Sequence, residues 1–162
     1  MSNLTEMQKE ELIKNGYIKE DLYDISDWFT RTFSKMLLDM ASDLHGYPDT
    51  FNSSDEWKST LEKMAFYLTE SSEEYCQKIN KYEKKVKKAN KVFEDTFGPF
   101  GEKLNNDGGN QWHLYTEDLN HPENVELDKK WLAEENKLDA YRDECLDKFM
   151  ELFKEHFRDL WD

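Results

Sequence analysis

Two apolar stripes separated by a four-residue break constrain this chain more than any other feature. Phe29, Phe33, Met36, Leu37, Met40 and Leu44 recur at helical steps, and Trp57, Leu61, Met64, Ala65 and Leu68 repeat the pattern. Such spacing puts each set on one face of a helix. Between them stands His45-Gly46-Tyr47-Pro48. Pro48 cannot continue a helix, and Gly46 sits where a C-terminal cap wants positive φ. Asp24 or Ser26 can cap the first helix, and Ser53 with Glu56 has capping-box spacing for the second. The stretch Ser26 to Leu68 is therefore expected to be a helical hairpin, with the remaining helices laid against it.

The flanking sequence reads as one short arm, two long helices and one irregular insertion. Thr5 to Lys14 can form a helix ended by Asn15-Gly16, but it offers only Met7, Leu12 and Ile13 to a core. Residues 1–24 are expected to be a loosely docked arm, with Leu22 and Tyr23 its candidates for core contact. From Ser72 to Phe97, the residues Tyr75, Ile79, Tyr82, Val86, Ala89 and Phe93 alternate steps of four and three, the seam of a coiled-coil-like helix. Seven lysines lie between Lys78 and Lys91, a positive strip that, with this heptad-like surface, makes a homodimer reasonable. Gly98-Pro99 opens an irregular connection over 98–124, which contains Asn105-Asn106-Asp107-Gly108-Gly109-Asn110. A second long helix is expected from about Glu126 to Leu160, carrying Leu127, Trp131, Leu138, Tyr141, Cys145, Phe149, Phe153 and Phe157, with Leu146, Met150 and Trp161 widening its face. The expected fold is all-α: a single domain over 1–162, a bundle of four to five helices with two long antiparallel helices.

Composition limits the function classes. A net charge of −14 disfavours contact with nucleic acid or an anionic membrane and favours a partner with a basic surface. Arg31, Arg142 and Arg158 are the only arginines, too few for base readout, so no direct DNA binding is expected. No apolar run approaches membrane-spanning length, and the N-terminus lacks a signal-peptide pattern, so a bacterial cytoplasmic location is expected. Cys76 and Cys145 read as reduced packing thiols.

No catalytic, cofactor-binding or metal residue is assigned. His45 precedes the cap glycine and suits a helix C-terminus. His156 lacks the four-residue helical partner of a metal pair, and His113 and His121 flank Glu117 and Asp118 in the irregular connection. Glu70 with Glu73, and Glu144 with Asp147, have the spacings that all-α nucleotide pyrophosphohydrolases use for magnesium. With 36 acidic residues, both spacings arise by chance. Phosphate loops, Cys-x-x-Cys pairs and nucleophile elbows are all missing from the sequence.

Trp28 with the Phe33 to Leu44 stripe, His45-Gly46-Tyr47-Pro48 with Phe51, and Glu56-Trp57 with Leu61 and Met64 resemble a group of small uncharacterised helical proteins of bacteriophages and gut mobile elements. The ending Leu152-Phe153, Phe157 and Leu160-Trp161-Asp162 resembles the same group. The resemblance touches the two ends of the chain and rests on apolar and turn residues, so it brings no catalytic residue. It implies a viral or mobile-element origin. The expectation is a non-enzymatic acidic binding protein that modulates or inhibits a host protein, of an anti-defence type. A virion or assembly component and the magnesium-dependent hydrolase are the alternatives.

Overall fold

The computed structural model describes residues 4–97 and 122–160. It is all-helical, with no strand among the described residues. The helices are α1 (Glu6–Asn15), α2 (Ile25–Ser42), α3 (Ser54–Glu70), α4 (Glu83–Phe97) and α5 (Pro122–His156), with 3-10 turns at Lys19–Tyr23 and Phe157–Asp159. The chain forms two compact units, Met1–Gln77 with Arg142–Asp162, and Lys78–Tyr141.

In the first unit α2 and α3 make the expected hairpin. Trp57, Leu61, Met64, Ala65 and Leu68 are all buried, and they form one core with Leu37, Ala41 and Phe149. Each large apolar side chain so buried stabilises the fold by about 1.5–3 kcal/mol. Phe29, Phe33, Met40 and Leu44 pack against this core, but Met36 is 59 % exposed. The face is rotated from the expected one. At about 100° per residue, the buried Thr30, Leu37 and Ala41 cluster, while Met36 lies about 120° from their mean.

The hairpin break also differs from expectation. The chain leaves α2 at Asp43 (φ −136, ψ 64), whose N–H still donates to the Met40 carbonyl at 3.3 Å. Gly46, already outside the helix, has no positive φ to supply. Gly16 does have one, φ 78, and its N–H donates to the Leu12 carbonyl to close α1. At the start of α3, Ser53 Oγ accepts the Glu56 N–H at 3.2 Å. The Glu56 carboxylate reaches one residue further back than a capping box requires, accepting the Asn52 N–H and side-chain amide, both at 3.0 Å.

Aromatic packing brings the end of α5 onto the hairpin. Phe149 meets Phe29 and Phe33 at 6.2 Å each, and Phe153 meets Phe33 at 5.4 Å. Edge-to-face pairs at such separations add to burial. Phe51, Trp57 and His156 form a second ring cluster, with Phe51–Trp57 at 4.9 Å and Phe51–His156 at 5.1 Å. Leu160 packs on the core, whereas Phe157 is exposed. In the arm, α1 buries no residue, and Leu22 and Tyr23 are exposed rather than in core contact.

The largest correction concerns the lysine-rich helix, which begins at Glu83 and not at Ser72. Side chains capture the intervening amides. Glu70 accepts the Gln77 N–H at 3.0 Å, Ser72 Oγ accepts the Glu74 N–H at 3.2 Å, and Asn80 Oδ1 accepts the Tyr82 N–H at 3.0 Å. Short polar side chains that bond nearby backbone compete with helix in this way. Ile79, expected in a seam, is 73 % exposed.

In the second unit α4 runs antiparallel to the Pro122–Tyr141 part of α5. Asn80 bonds Glu135, Glu83 bonds Trp131, and Asn90 shares a groove with Val125, so later residues on one strand of contact meet earlier ones on the other. Of the connection expected to be irregular over 98–124, Pro122, Glu123 and Asn124 belong to α5, while 98–121 with His113, Glu117, Asp118 and His121, the Phe93 side chain and Trp161 lie outside the described residues.

Candidate functional site

The first unit carries a cleft of about 820 Å³, a volume typical of binding sites. Its floor is apolar: Phe29 from α2, Leu68 from α3, and Leu146, Phe149 and Met150 from α5. Asp24, Asp27, Glu73 and Glu74 stand around it, and no basic residue lines it.

Local sequence explains how each wall is held. Asp24 caps α2, accepting the Asp27 N–H at 2.9 Å and the Ser26 hydroxyl at 2.7 Å. Those bonds, the Asp27 amide first, hold its carboxyl below the usual range. Asp27, one turn on, accepts the Tyr75 hydroxyl at 2.6 Å. That bond is the main reason the Tyr75 phenol is pushed up to about 12. Arg31 lies 3.7 Å from Asp27 and 3.2 Å from Asp21. Tyr75 thus ties the segment carrying Glu73 and Glu74 to the start of α2.

A second tie comes from beneath. Glu70 is 2 % exposed, and its carboxylate accepts the Gln77 N–H together with the Cys76 thiol at 3.5 Å. A buried carboxylate needs such partners, and here they fold the chain back after α3. Glu70 is therefore a structural residue of the turn.

The magnesium quartet does not assemble. Glu70 is committed to the turn, Glu73 stands at the cleft, Glu144 pairs with Lys148, and Asp147 is exposed. Among the described residues no three His, Cys, Asp or Glu side chains form a group that could hold a metal ion. His45 is exposed beyond the end of α2, and His156 packs against both Phe51 and Trp57 with Asp159 at 3.3 Å from Nδ1. Cys76 and Cys145 are buried thiols.

The cleft itself escaped the sequence reading. Leu146 and Met150 were expected to widen a buried face, yet they are 44 % and 52 % exposed. Their position carries the signal. At about 100° per residue they lie about 80° and 120° from the mean direction of the buried Leu138, Cys145 and Phe149.

The second unit has a groove of about 710 Å³ between α4 and α5, floored by Val86, Val125, Trp131 and Leu132. Charges of both signs edge it: Glu83, Lys87, Asp128 and Lys129. The lysines of α4, Lys84, Lys85, Lys87, Lys88 and Lys91, are exposed.

Comparison of the chain with family models, curated proteins and solved structures gives no match. No described helix is long and apolar enough to cross a membrane.

Proposed function

We propose that this chain is a non-enzymatic acidic binding protein that docks on a basic surface of a bacterial host protein and modulates it, as an accessory factor of a phage or mobile element. The observation that carries this reading is the cleft of the first unit, where the exposed Leu146 and Met150 share the lining with Asp24, Asp27, Glu73 and Glu74, only Asp27 of them pairs with a nearby arginine, and no described basic residue lines the cleft. A concave, mostly apolar surface with a few polar groups converging on it is the usual form of a binding site. A net charge of −14 would speed encounter with a basic partner and discriminate against acidic ones. The resemblance of the hairpin to small phage proteins supplies the cellular setting.

The test is affinity capture from a bacterial lysate with the tagged chain and its E73K/E74K variant, washed at low and high salt. The expected result is one stoichiometric partner that high salt releases and that the variant fails to retain. Metal-dependent nucleotide turnover by the purified chain, lost in Glu144→Ala, would instead establish the hydrolase.

A further inference from the structure

Resting on the binding reading just given, we infer that the cleft of the first unit takes a single amphipathic helix of the partner, apolar along one face and flanked by lysine or arginine. The floor argues for an apolar face. Leu146 and Met150 lie one turn apart on α5, both about half exposed, on the same side of the buried Phe149. Residues four apart form a ridge, and a ridge packs into the groove of another helix. Methionine adapts its shape to the surface it meets. Phe29 and Leu68 extend the same floor on α2 and α3.

The backbone argues for a helix over an extended peptide. An extended segment gains its affinity by hydrogen bonding to an open sheet edge. The described walls are helices and the turn after α3, and no described residue belongs to a strand. A helix satisfies its own amides and needs only side-chain contact.

Charge decides the chemistry of the flanks. Glu73 and Glu74 are exposed where they line the cleft, and Asp24 lines it at the start of α2 beside Asp27, which already pairs with Arg31 and Tyr75. Lysines or arginines flanking the apolar face of the incoming helix would meet these carboxylates. An acidic helix would meet repulsion from them.

The test uses the full chain and labelled synthetic peptides of about five helical turns. The first repeats leucine and lysine at helical spacing, the second has glutamate for lysine, and the third is a scrambled order of the first. Fluorescence polarisation is expected to show saturable binding of the first peptide, at least about tenfold weaker binding of the scrambled one, and none of the acidic one. The L146D/M150D variant should lose about tenfold. The E73K/E74K variant should lose a similar factor and much of the salt dependence. All four substituted positions are exposed, and circular dichroism checks that the variants stay folded.

Equal binding of the ordered and scrambled peptides would reduce the effect to polycation attraction and overturn the inference. So would binding unchanged in L146D/M150D. The two readings fail differently. Lysate capture that depends on Glu73 and Glu74 without peptide binding retires the helix and keeps the binding function. Peptide binding lost in L146D/M150D without any lysate partner keeps the cleft and retires the host-protein reading.

Discussion

Each of the two units of this chain is held together internally by a different kind of contact. In the first, Trp57, Leu61, Met64 and Phe149 are almost wholly buried, and the phenylalanines of α2 and α5 pack ring against ring. Among the described residues of the second, Leu138 is buried and apolar, but the specific ties are polar. Asn80 donates to the Trp131 carbonyl and to Glu135, the Trp131 indole N–H donates to Glu83, and Lys81 pairs with Glu134 at 2.9 Å. The Lys78 ammonium lies 3.1 Å from the centre of the Tyr141 ring. Apolar burial is non-directional and tolerates small shifts, whereas a hydrogen-bonded network depends on each donor and acceptor being in place. The first unit should therefore yield to lost volume and the second to lost partners.

Removing volume from the first unit gives the largest expected effect. Phe149→Ala deletes the ring that meets Phe29, Phe33 and Phe153, and leaves a void on the floor of the cleft. A loss of about 3–5 kcal/mol is expected in urea denaturation, with an unchanged slope. A loss below about 1 kcal/mol would mean that the ring cluster is not what holds the unit. In the second unit Asn80→Ala should cost about 1–3 kcal/mol, because it removes both bonds to α5 and the acceptor of the Tyr82 N–H. Asn80→Asp sharpens the comparison by keeping that acceptor while setting a carboxylate against Glu135. If volume were all that mattered, the aspartate variant would be silent; amide exchange at Tyr82 and thermal melting report which holds.

The same contrast explains what could be read in the sequence. Helical periodicity reports apolar contact, so the hairpin, the α3 stripe and the all-helical class were all legible. Gly16 was legible too, since a left-handed cap has one common solution. The start of α4 was not. Tyr75 and Ile79 continue the apolar rhythm of Val86, but Glu70, Ser72 and Asn80 take the amides that a helix would need, and such partners are distant or turn-specific. The cleft was hidden for a related reason. Apolar residues were read as core, and only their angle on α5 separates Leu146 and Met150 from Phe149.

A smaller effect is expected where a single indole donor is removed. Trp131→Phe keeps most of the ring but loses the 2.8 Å bond to Glu83. That bond, ahead of the one from Lys87, holds the Glu83 carboxyl below its ordinary 4.5. A depressed carboxyl contributes stability that is present above 4.5 and is lost as pH falls through the lower folded value. At neutral pH the variant should be less stable by about 0.5–1 kcal/mol, with solvent exposure keeping the figure low. The gap between variant and wild type should close on acidification. A gap that stays constant down to acid denaturation would place the loss in packing and not in the hydrogen bond.

The smallest effect belongs to the polar tie of the apolar unit. Tyr75→Phe removes the 2.6 Å hydrogen bond to Asp27 and leaves the ring in place. The phenol is pushed from 10.0 to about 12, so the folded chain holds this proton more tightly than the unfolded one. Its contribution is fully present below pH 10 and is lost as pH rises towards 12. Ultraviolet titration should show a late phenolate step near pH 12 in the wild type that the variant lacks. At neutral pH the variant should lose less than about 1 kcal/mol, since the core beneath the tie is untouched. Asp27, relieved of its tyrosine, would then offer a fuller charge to the cleft, and a basic peptide should bind the variant at least as well. A loss above about 2 kcal/mol would show the apolar unit leaning on a hydrogen bond as heavily as its neighbour does, and the contrast between the two would fail.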